Sequence, residues 1–215
     1  MYKLDSSPTG LIILGFGGHA RSIADVALSA GITKLIFVDK NARPGEVLGE
    51  HPVVKDMPNF IPDGWRVLPA SGDNERRHQQ LLWAADQGWQ VATLVAPSAT
   101  IGYAARLGKG VFVAHHVHIG PFAEIGDGCI INTSAVVEHE TKIGCYSHVS
   151  VNSTVAGRSA VGDHCFIGAG ATVIDSLQLC DRVTLGAGAC AVKNLDKPGT
   201  YVGVPARFCS GNRTP

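Results

Sequence analysis

One six-residue stretch departs from its surroundings: Val137-Glu138-His139-Glu140-Thr141-Lys142. An imidazole titrates near neutrality unaided, so His139 suits the removal of a proton from an attacking amine or hydroxyl. A carboxylate beside it, Glu140, would stabilise the imidazolium and raise its basicity. Adjacent residues of a strand point to opposite faces, so the pair cooperates only if the chain turns there. The same residues also read as a solvated charged corner, and residue type alone does not separate the two.

A second constellation lies near the start. Gly15-Phe16-Gly17-Gly18 follows the apolar run Leu11–Leu14 and opens a helical pattern. Such a turn can cradle phosphates with free N–H groups and the helix dipole. It lacks the third glycine of a dinucleotide fingerprint. Asp39, closing a second apolar run, is placed to hydrogen-bond a ribose or a base. Cys145 has no basic partner at close spacing, which argues against a covalent thiol nucleophile.

These groups need elements to hold them. Residues 11–96 alternate strand and helix patterns: strands at Leu11–Leu14, Lys34–Val38, Val67–Ala70 and Val91–Val95, with helices at His19–Ala30 and Glu75–Gln87. Strand, crossover helix and strand imply a small parallel Rossmann-like sheet.

From Ile101 the period becomes six. Every sixth residue through Leu185 is Ile, Leu or Val, fifteen in succession. The fourth residue after each is often small or β-branched, as at Ala105, Ala123, Cys129, Ser147 and Ala171. Six fits neither an α-helix nor a hairpin sheet. It fits a three-sided coil in which residues 18 apart stack at about the 4.8 Å strand spacing, giving about five coils. Gly157 follows His139 by 18 and should lie above it, its N–H free to polarise an acyl carbonyl. Asn132 and His148, seven before and nine after His139, are expected near the same corner by wrapping.

The hexads resemble those of the left-handed β-helix transferases, and Lys197-Pro-Gly-Thr-Tyr-Val-Gly-Val-Pro-Ala-Arg207 resembles the C-terminal signature of that superfamily. A catalytically silent solenoid is the alternative reading. Asn132-Thr-Ser-Ala-Val-Val-Glu-His-Glu140, Ile143-Gly144 and Ser147-His-Val-Ser-Val151 resemble the active-site stretch of the sialic-acid O-acetyltransferase (NeuD-like) family. They are most similar to its PglD-type branch, which N-acetylates UDP-4-amino sugars. Gly15-Phe-Gly-Gly-His19, Phe37-Val-Asp39 and Gly72-Asp-Asn-Glu-Arg-Arg77 resemble the substrate domain of that family.

The resemblance implies an α/β Rossmann-like nucleotide-sugar domain (1–97), a left-handed parallel β-helix (98–195) and a C-terminal extension (196–215). It implies an acetyl-CoA-dependent N-acetyltransferase of bacterial glycan biosynthesis, acting on a nucleotide-linked amino sugar of the UDP-4-amino-4,6-dideoxy type. His139 would be the general base for direct attack on the thioester, with Glu140 raising its basicity. His148, Ala169 and Ala187 would contact acetyl-CoA, with Gly157 supplying the oxyanion donor. Gly17, Gly18, His19, Asp39, Lys40 and Gly72 would surround the nucleotide sugar, with Asn132 nearby. Lys40 stands where close relatives often carry a second acidic residue, which leaves the nucleotide and sugar open. A homotrimer without a metal follows from the same resemblance, since three flat-sided prisms close around a threefold axis.

Rival activities are O-acetylation of a sialic acid or another sugar hydroxyl, and sugar-nucleotide binding without catalysis. A third is a zinc lyase resembling the γ-class carbonic anhydrases and built on His115, His116 and His118. Adjacent histidines there should splay apart and read as solvated. Eighteen basic and eighteen acidic residues leave no net charge to hold nucleic acid or an anionic membrane. Six scattered cysteines without a CxxC pair, no signal-peptide pattern and no long apolar run point to a cytoplasmic protein with no membrane insertion.

Overall fold

The computed structural model describes residues 8–209. Residues 1–7 and the last six residues of the expected C-terminal extension lie outside them. Among the described residues no helix is long and apolar enough to cross a membrane.

The N-terminal unit is a five-stranded sheet in the order β3-β4-β2-β1-β5. Strand β1 (Gly10–Leu14) is buried along its whole length and pairs in parallel with β2 (Leu35–Val38) and β5 (Trp65–Pro69). Two strands not foreseen in the sequence extend one edge. β3 (Val47–Leu48) and β4 (His51–Val54) form a short hairpin, and β4 runs parallel to β2. They are short and Pro52 interrupts their pattern, so periodicity carries little signal there. Helix α1 (Gly18–Ser29) buries Ala20, Ile23, Ala24, Val26 and Ala27 on one stripe.

The strand expected over Val91–Val95 is divided. Val91 makes a single bridge to Val67, whereas β6 (Leu94–Val95) pairs with Phe112–Val113 and opens the solenoid. The main-chain bonds mark the transfer: Ala92 donates to Val67, and Leu94 donates to Val111.

The solenoid has three parallel faces. Face I continues from β6 through Phe112–Val113, Ile130–Ile131, His148–Val149, Phe166–Ile167 and Val183–Leu185. Face II runs from Thr100–Ile101 to Cys190–Ala191, and face III from Arg106–Leu107 to Gln178–Leu179. Each rung pairs with the one 18 residues on, as the hexads require of a left-handed β-helix. Thirteen of the fifteen hexad aliphatics are buried; Ile101 and Leu107, at the open end of the coil, are half-buried.

After the first corner, at residues 96–99, each corner contains one residue in the left-handed region: Ala104, Phe122, Glu140, Arg158 and Ser176 between faces II and III, Gly110, Gly128, Tyr146, His164 and Arg182 between III and I, and His116, Ser134, Asn152, Gly170 and Gly188 between I and II. An L-residue there costs about 1–2 kcal/mol. From the second coil on, its N–H is secured in return by the coil before, as when Glu140 donates to Pro121 and Arg158 to His139, both at 2.9 Å.

The two units share one core. Face I presents Phe112 and Ile130 outward, and both are buried beneath the N-terminal unit. Helix α2 (Asn74–Asp86), capped by Asp73 accepting from the Arg76 N–H at 2.7 Å, lies along corner III–I. Three helical residues rise about 4.5 Å and one rung about 4.8 Å, so the helix keeps step with the coil. Leu81 fills the space over Gly110 and Gly128, His78 stacks on Tyr146 at 3.9 Å, and Glu75 meets His164 and Arg182. Buried Arg77 joins the parts, donating to the carbonyls of Ser71, Gly72, Gly128 and Tyr146 and to Asn74 Oδ1.

Candidate active site

The Glu-His-Glu hexapeptide crosses from face II to face III. Glu140 is the left-handed residue of that corner, with φ of 58°. The turn swings its carboxylate back beside its neighbour, and His139 Nδ1 lies 3.1 Å from Glu140 Oε2. A carboxylate only accepts, so Nδ1 carries the proton and Nε2 offers a lone pair. Both side chains are partly open to solvent.

Gly157 lies one coil on, as the spacing requires. A β-carbon at position 157 would stand 2.6 Å from His139 Nε2. The Gly157 N–H donates to no group among the described residues. At corner III–I the matching N–H groups of Lys109, Cys145 and Asp163 are each taken by an aspartate 18 residues later. At this corner the aspartate is Asp175, but its carboxylate turns to Arg158 and Ser176. The donor beside His139 is therefore left unused.

Asn132 and His148 are not at that corner. Asn132 begins corner I–II, and His148 faces outward from face I beneath the N-terminal unit. One coil takes 18 residues, so offsets of seven and nine carry both to other sides of the prism. They meet each other instead: Asn132 Oδ1 accepts from the Thr133 N–H at 2.8 Å, which directs its amide nitrogen to His148 Nε2 at 3.2 Å. His148 thus carries its proton at Nδ1, a buried atom turned toward the Gly72 carbonyl without reaching good hydrogen-bond geometry. His19, in the first turn of α1, packs edge-on against Phe112 and lies 6.5 Å from His148. Its own Nε2 is buried and has no partner among the described residues. Burial, then the charge of Arg77, pushes His19 down to about 4. Burial, with Arg77 and His19, pushes His148 down to about 3. Both rings are neutral near pH 7.

The glycine turn is held by Asp39, whose two oxygens accept from the Phe16 and Asn41 N–H groups at 2.9 Å. Space is open where β-carbons would stand at Gly17, Gly18 and Gly72. Asp39 and Lys40 line a cavity of about 560 Å³ together with Leu14, Gly15, Arg76 and Trp83. Ala169 and Ala187 are exposed one above the other on corner I–II, each followed by a left-handed glycine with nothing near it. That corner offers a smooth strip to an extended ligand.

In the histidine cluster, the His115 and His116 rings lie 6.2 Å apart, and His115 and His118 turn to different hydroxyls. His115 binds Ser98 Oγ at 2.8 Å and faces Asp25 at 3.3 Å, whereas His118 binds Thr100 Oγ1 at 2.8 Å. Burial raises the Cys145 thiol, which disfavours the thiolate a nucleophile needs. Sequence reasoning missed Arg77 as the hub that holds Ser71–Gly72; its only local signal is a second arginine one turn into a capped helix.

A coil of hexapeptides behind a small α/β unit defines the architecture of the hexapeptide-repeat acyltransferases. Residues 10–82 match the PglD N-terminal domain, and residues 104–139 match the bacterial transferase hexapeptide with six repeats. PerB from Caulobacter crescentus, solved with CoA and GDP-perosamine, is 34% identical over 97% of this chain and all of its own, with a TM-score of 0.86. The acetyltransferase domain of PglB from Neisseria gonorrhoeae, solved with acetyl coenzyme A, is 27% identical over 94% of this chain and all of its own, with a TM-score of 0.88. WeeI from Acinetobacter baumannii, 18% identical over 93% of this chain and 99% of its own at a TM-score of 0.66, shares the fold. No curated protein sequence matches the chain. The chain belongs to the hexapeptide-repeat acyltransferases that carry a PglD-type N-terminal domain.

Proposed function

We propose that this protein moves the acetyl group of acetyl-CoA onto the amine of a nucleotide-linked amino sugar, with His139 as general base. The observation that carries this reading is one juxtaposition: an imidazole nitrogen freed by Glu140 beside the unused N–H of Gly157. The relatives support the chemistry, since one is a GDP-perosamine N-acetyltransferase and another is an acetyltransferase domain solved with the donor.

In this mechanism the sugar amine attacks the thioester carbonyl carbon. A C–N bond forms, and the carbonyl oxygen takes the negative charge beside the Gly157 N–H. His139 Nε2 accepts the proton that the nitrogen sheds. The C–S bond then breaks and the proton passes to the departing thiolate, giving an amide and CoA. No acyl-enzyme is required. The glycine turn, Asp39 and Lys40 would hold the nucleotide sugar, and Ala169 and Ala187 would flank the donor.

A homotrimer packed on face II completes the site. Face I is covered by the chain's own N-terminal unit, and face III carries Arg106, Glu124 and Lys142 outward. Face II presents Thr100, His118, Val136, Thr154, Thr172 and Cys190, mostly small and uncharged. Prisms meeting on that face set corner II–III of one copy beside corner I–II of the next. His139 then faces the partner's Asn132, the partner's Ala169 and the partner's Ala187, which explains why one chain holds the two halves on separate corners.

The test is CoA release with acetyl-CoA and a panel of UDP-, GDP- and dTDP-linked 4-amino sugars, with CMP-sialic acid as the hydroxyl control. Wild-type protein should release CoA with an amino sugar. His139→Ala should keep the fold and lose about 10²–10⁴-fold in turnover. Undiminished turnover by that variant removes the base, and silence of the wild type on every amine removes the activity.

A further inference from the structure

Glu75 and His78 are three residues apart on α2 and so share one face of the helix. His164 meets them from corner III–I. One ligand-type atom from each of the three lies within 4.8 Å of the other two. His164 Nδ1 is 3.6 Å from Glu75 Oε1, is buried, and has no hydrogen-bond partner among the described residues. Both rings are anchored by other contacts. His78 is stacked on Tyr146, and the backbone of His164 is gripped by Asn74, whose amide donates to the carbonyls of His164 and Cys165 at 3.1 and 3.0 Å. The cluster stands on corner III–I, whereas His139 stands on corner II–III.

We infer that Glu75, His78 and His164 form a binding site for a zinc-like divalent cation that ties α2 to the β-helix. Two imidazoles and one carboxylate, with water as the fourth ligand, suit zinc; magnesium and calcium prefer oxygen ligands throughout. Ligand atoms at zinc-binding distance from a tetrahedral ion lie about 3.3 Å from one another. The Glu75–His164 pair is already near that separation. Glu75 supplies most of the remaining closure, because its side chain is 51% exposed and can turn once Arg182 releases it.

Arg182 is the competitor for the position. Its guanidinium donates to the same Glu75 Oε1 at 2.6 Å, and its side chain is 60% exposed. A guanidinium and a dication repel each other at one oxygen, so binding requires Arg182 to swing into solvent. The seam is held either by this tethered cation or by a free one. A bound ion would stiffen α2, whose Arg77 in turn holds Ser71 and Gly72.

The test uses the full chain without an affinity tag, stripped by chelator and titrated with zinc against a chromophoric chelator. Thermal unfolding is followed alongside. One zinc per chain should bind with a Kd below about 1 μM and raise the midpoint, because a ligand selective for the folded state stabilises it. His164→Ala and Glu75→Gln should each weaken binding at least about tenfold, and Arg182→Gln should tighten it by a similar factor. Glu75→Gln alters no packing, so it serves if His164→Ala does not fold. Absence of stoichiometric binding, unchanged affinity in Glu75→Gln, or weaker binding in Arg182→Gln each overturns the site.

Discussion

The His139 imidazole lies across Gly157 of the following coil, so close that a single methyl at 157 would stand 2.6 Å from Nε2. The backbone at 157 is not left-handed, so the glycine is required by the ring of the coil before rather than by its own torsion. Gly157→Ala should therefore displace a partly exposed side chain at little cost to the fold. Turnover should fall about 100-fold, in line with loss of general-base positioning, while the melting temperature shifts by only a few degrees. Steady-state kinetics and a thermal scan check this. Wild-type kcat in the variant would detach the ring's position from the reaction.

In the proposed mechanism Glu140 acts through its neighbour. With the carboxylate present, Nδ1–H is pinned and Nε2 is left as the acceptor. Glu140→Gln offers His139 an amide that can donate as well as accept, so the wrong tautomer becomes available. The expected loss is about 10–100-fold in kcat with little change in KM for acetyl-CoA. Glu140→Asp should recover only part of it, because the shorter arm no longer reaches Nδ1. A Gln variant with full kcat would show that the pair has no role in turnover.

The buried pair His19 and His148 makes stability depend on pH. Their folded values, about 4 and about 3, lie below the value of about 6.5 expected in an unfolded chain. Between those limits the unfolded chain binds more protons, so stability rises with pH across that window and falls on acidification below about 6.5. Each ring adds up to about 1.4 kcal/mol per pH unit. The melting temperature should drop between pH 7 and 5, and His19→Phe, which keeps the edge-on contact with Phe112, should flatten the slope. An unchanged slope would show that the ring is not held neutral.

The prism was legible because its signal is local and repeats. Hexad arithmetic gives Val137 as inward-facing and sets Gly157 over His139 without further information. Expecting Asn132 and His148 at that corner fails by the same arithmetic, because their offsets from His139 are only about half of the 18-residue coil. Val91–Val95 reads as one strand because a single apolar run serves two sheets, and periodicity does not say which edge receives a strand. The seam of α2 was invisible for a different reason. Its contacts, Arg77 to Tyr146 and Glu75 to Arg182, join residues 69 and 107 apart in the chain, and only the docked helix reveals that three of its residues advance by one rung.

That seam makes Arg77 the side chain with most to lose. It is 1% exposed, and its charge is held inside by carbonyl oxygens and Asn74 rather than by a carboxylate. Burial pulls its guanidinium down to about 10, still charged at neutral pH. Arg77→Ala leaves the Gly128 and Tyr146 carbonyls without these donors and opens a cavity between the units. Destabilisation of about 3–5 kcal/mol is expected, and Arg77→Lys should recover little, because one ammonium cannot match the fork. Denaturant unfolding measures it; a loss under about 1 kcal/mol would mean that the units are joined mainly by the apolar contact of face I.

The last prediction concerns face II. Thr154 stands at its middle, half-exposed, with Val136 before it and Thr172 after it in the same ladder. Thr154→Arg puts a charge where three copies would meet, close to the threefold axis, so the three guanidinium groups repel one another. The coil should survive, because its inward neighbour Val155 and the rung hydrogen bonds are untouched. Light scattering should then report monomers, and CoA release should disappear with the trimer, since no single chain sets His139 beside Asn132 or Ala169. A stable monomer with wild-type turnover would mean that one chain suffices. The base would then have to find its acceptor within its own N-terminal unit, across a full face of the prism.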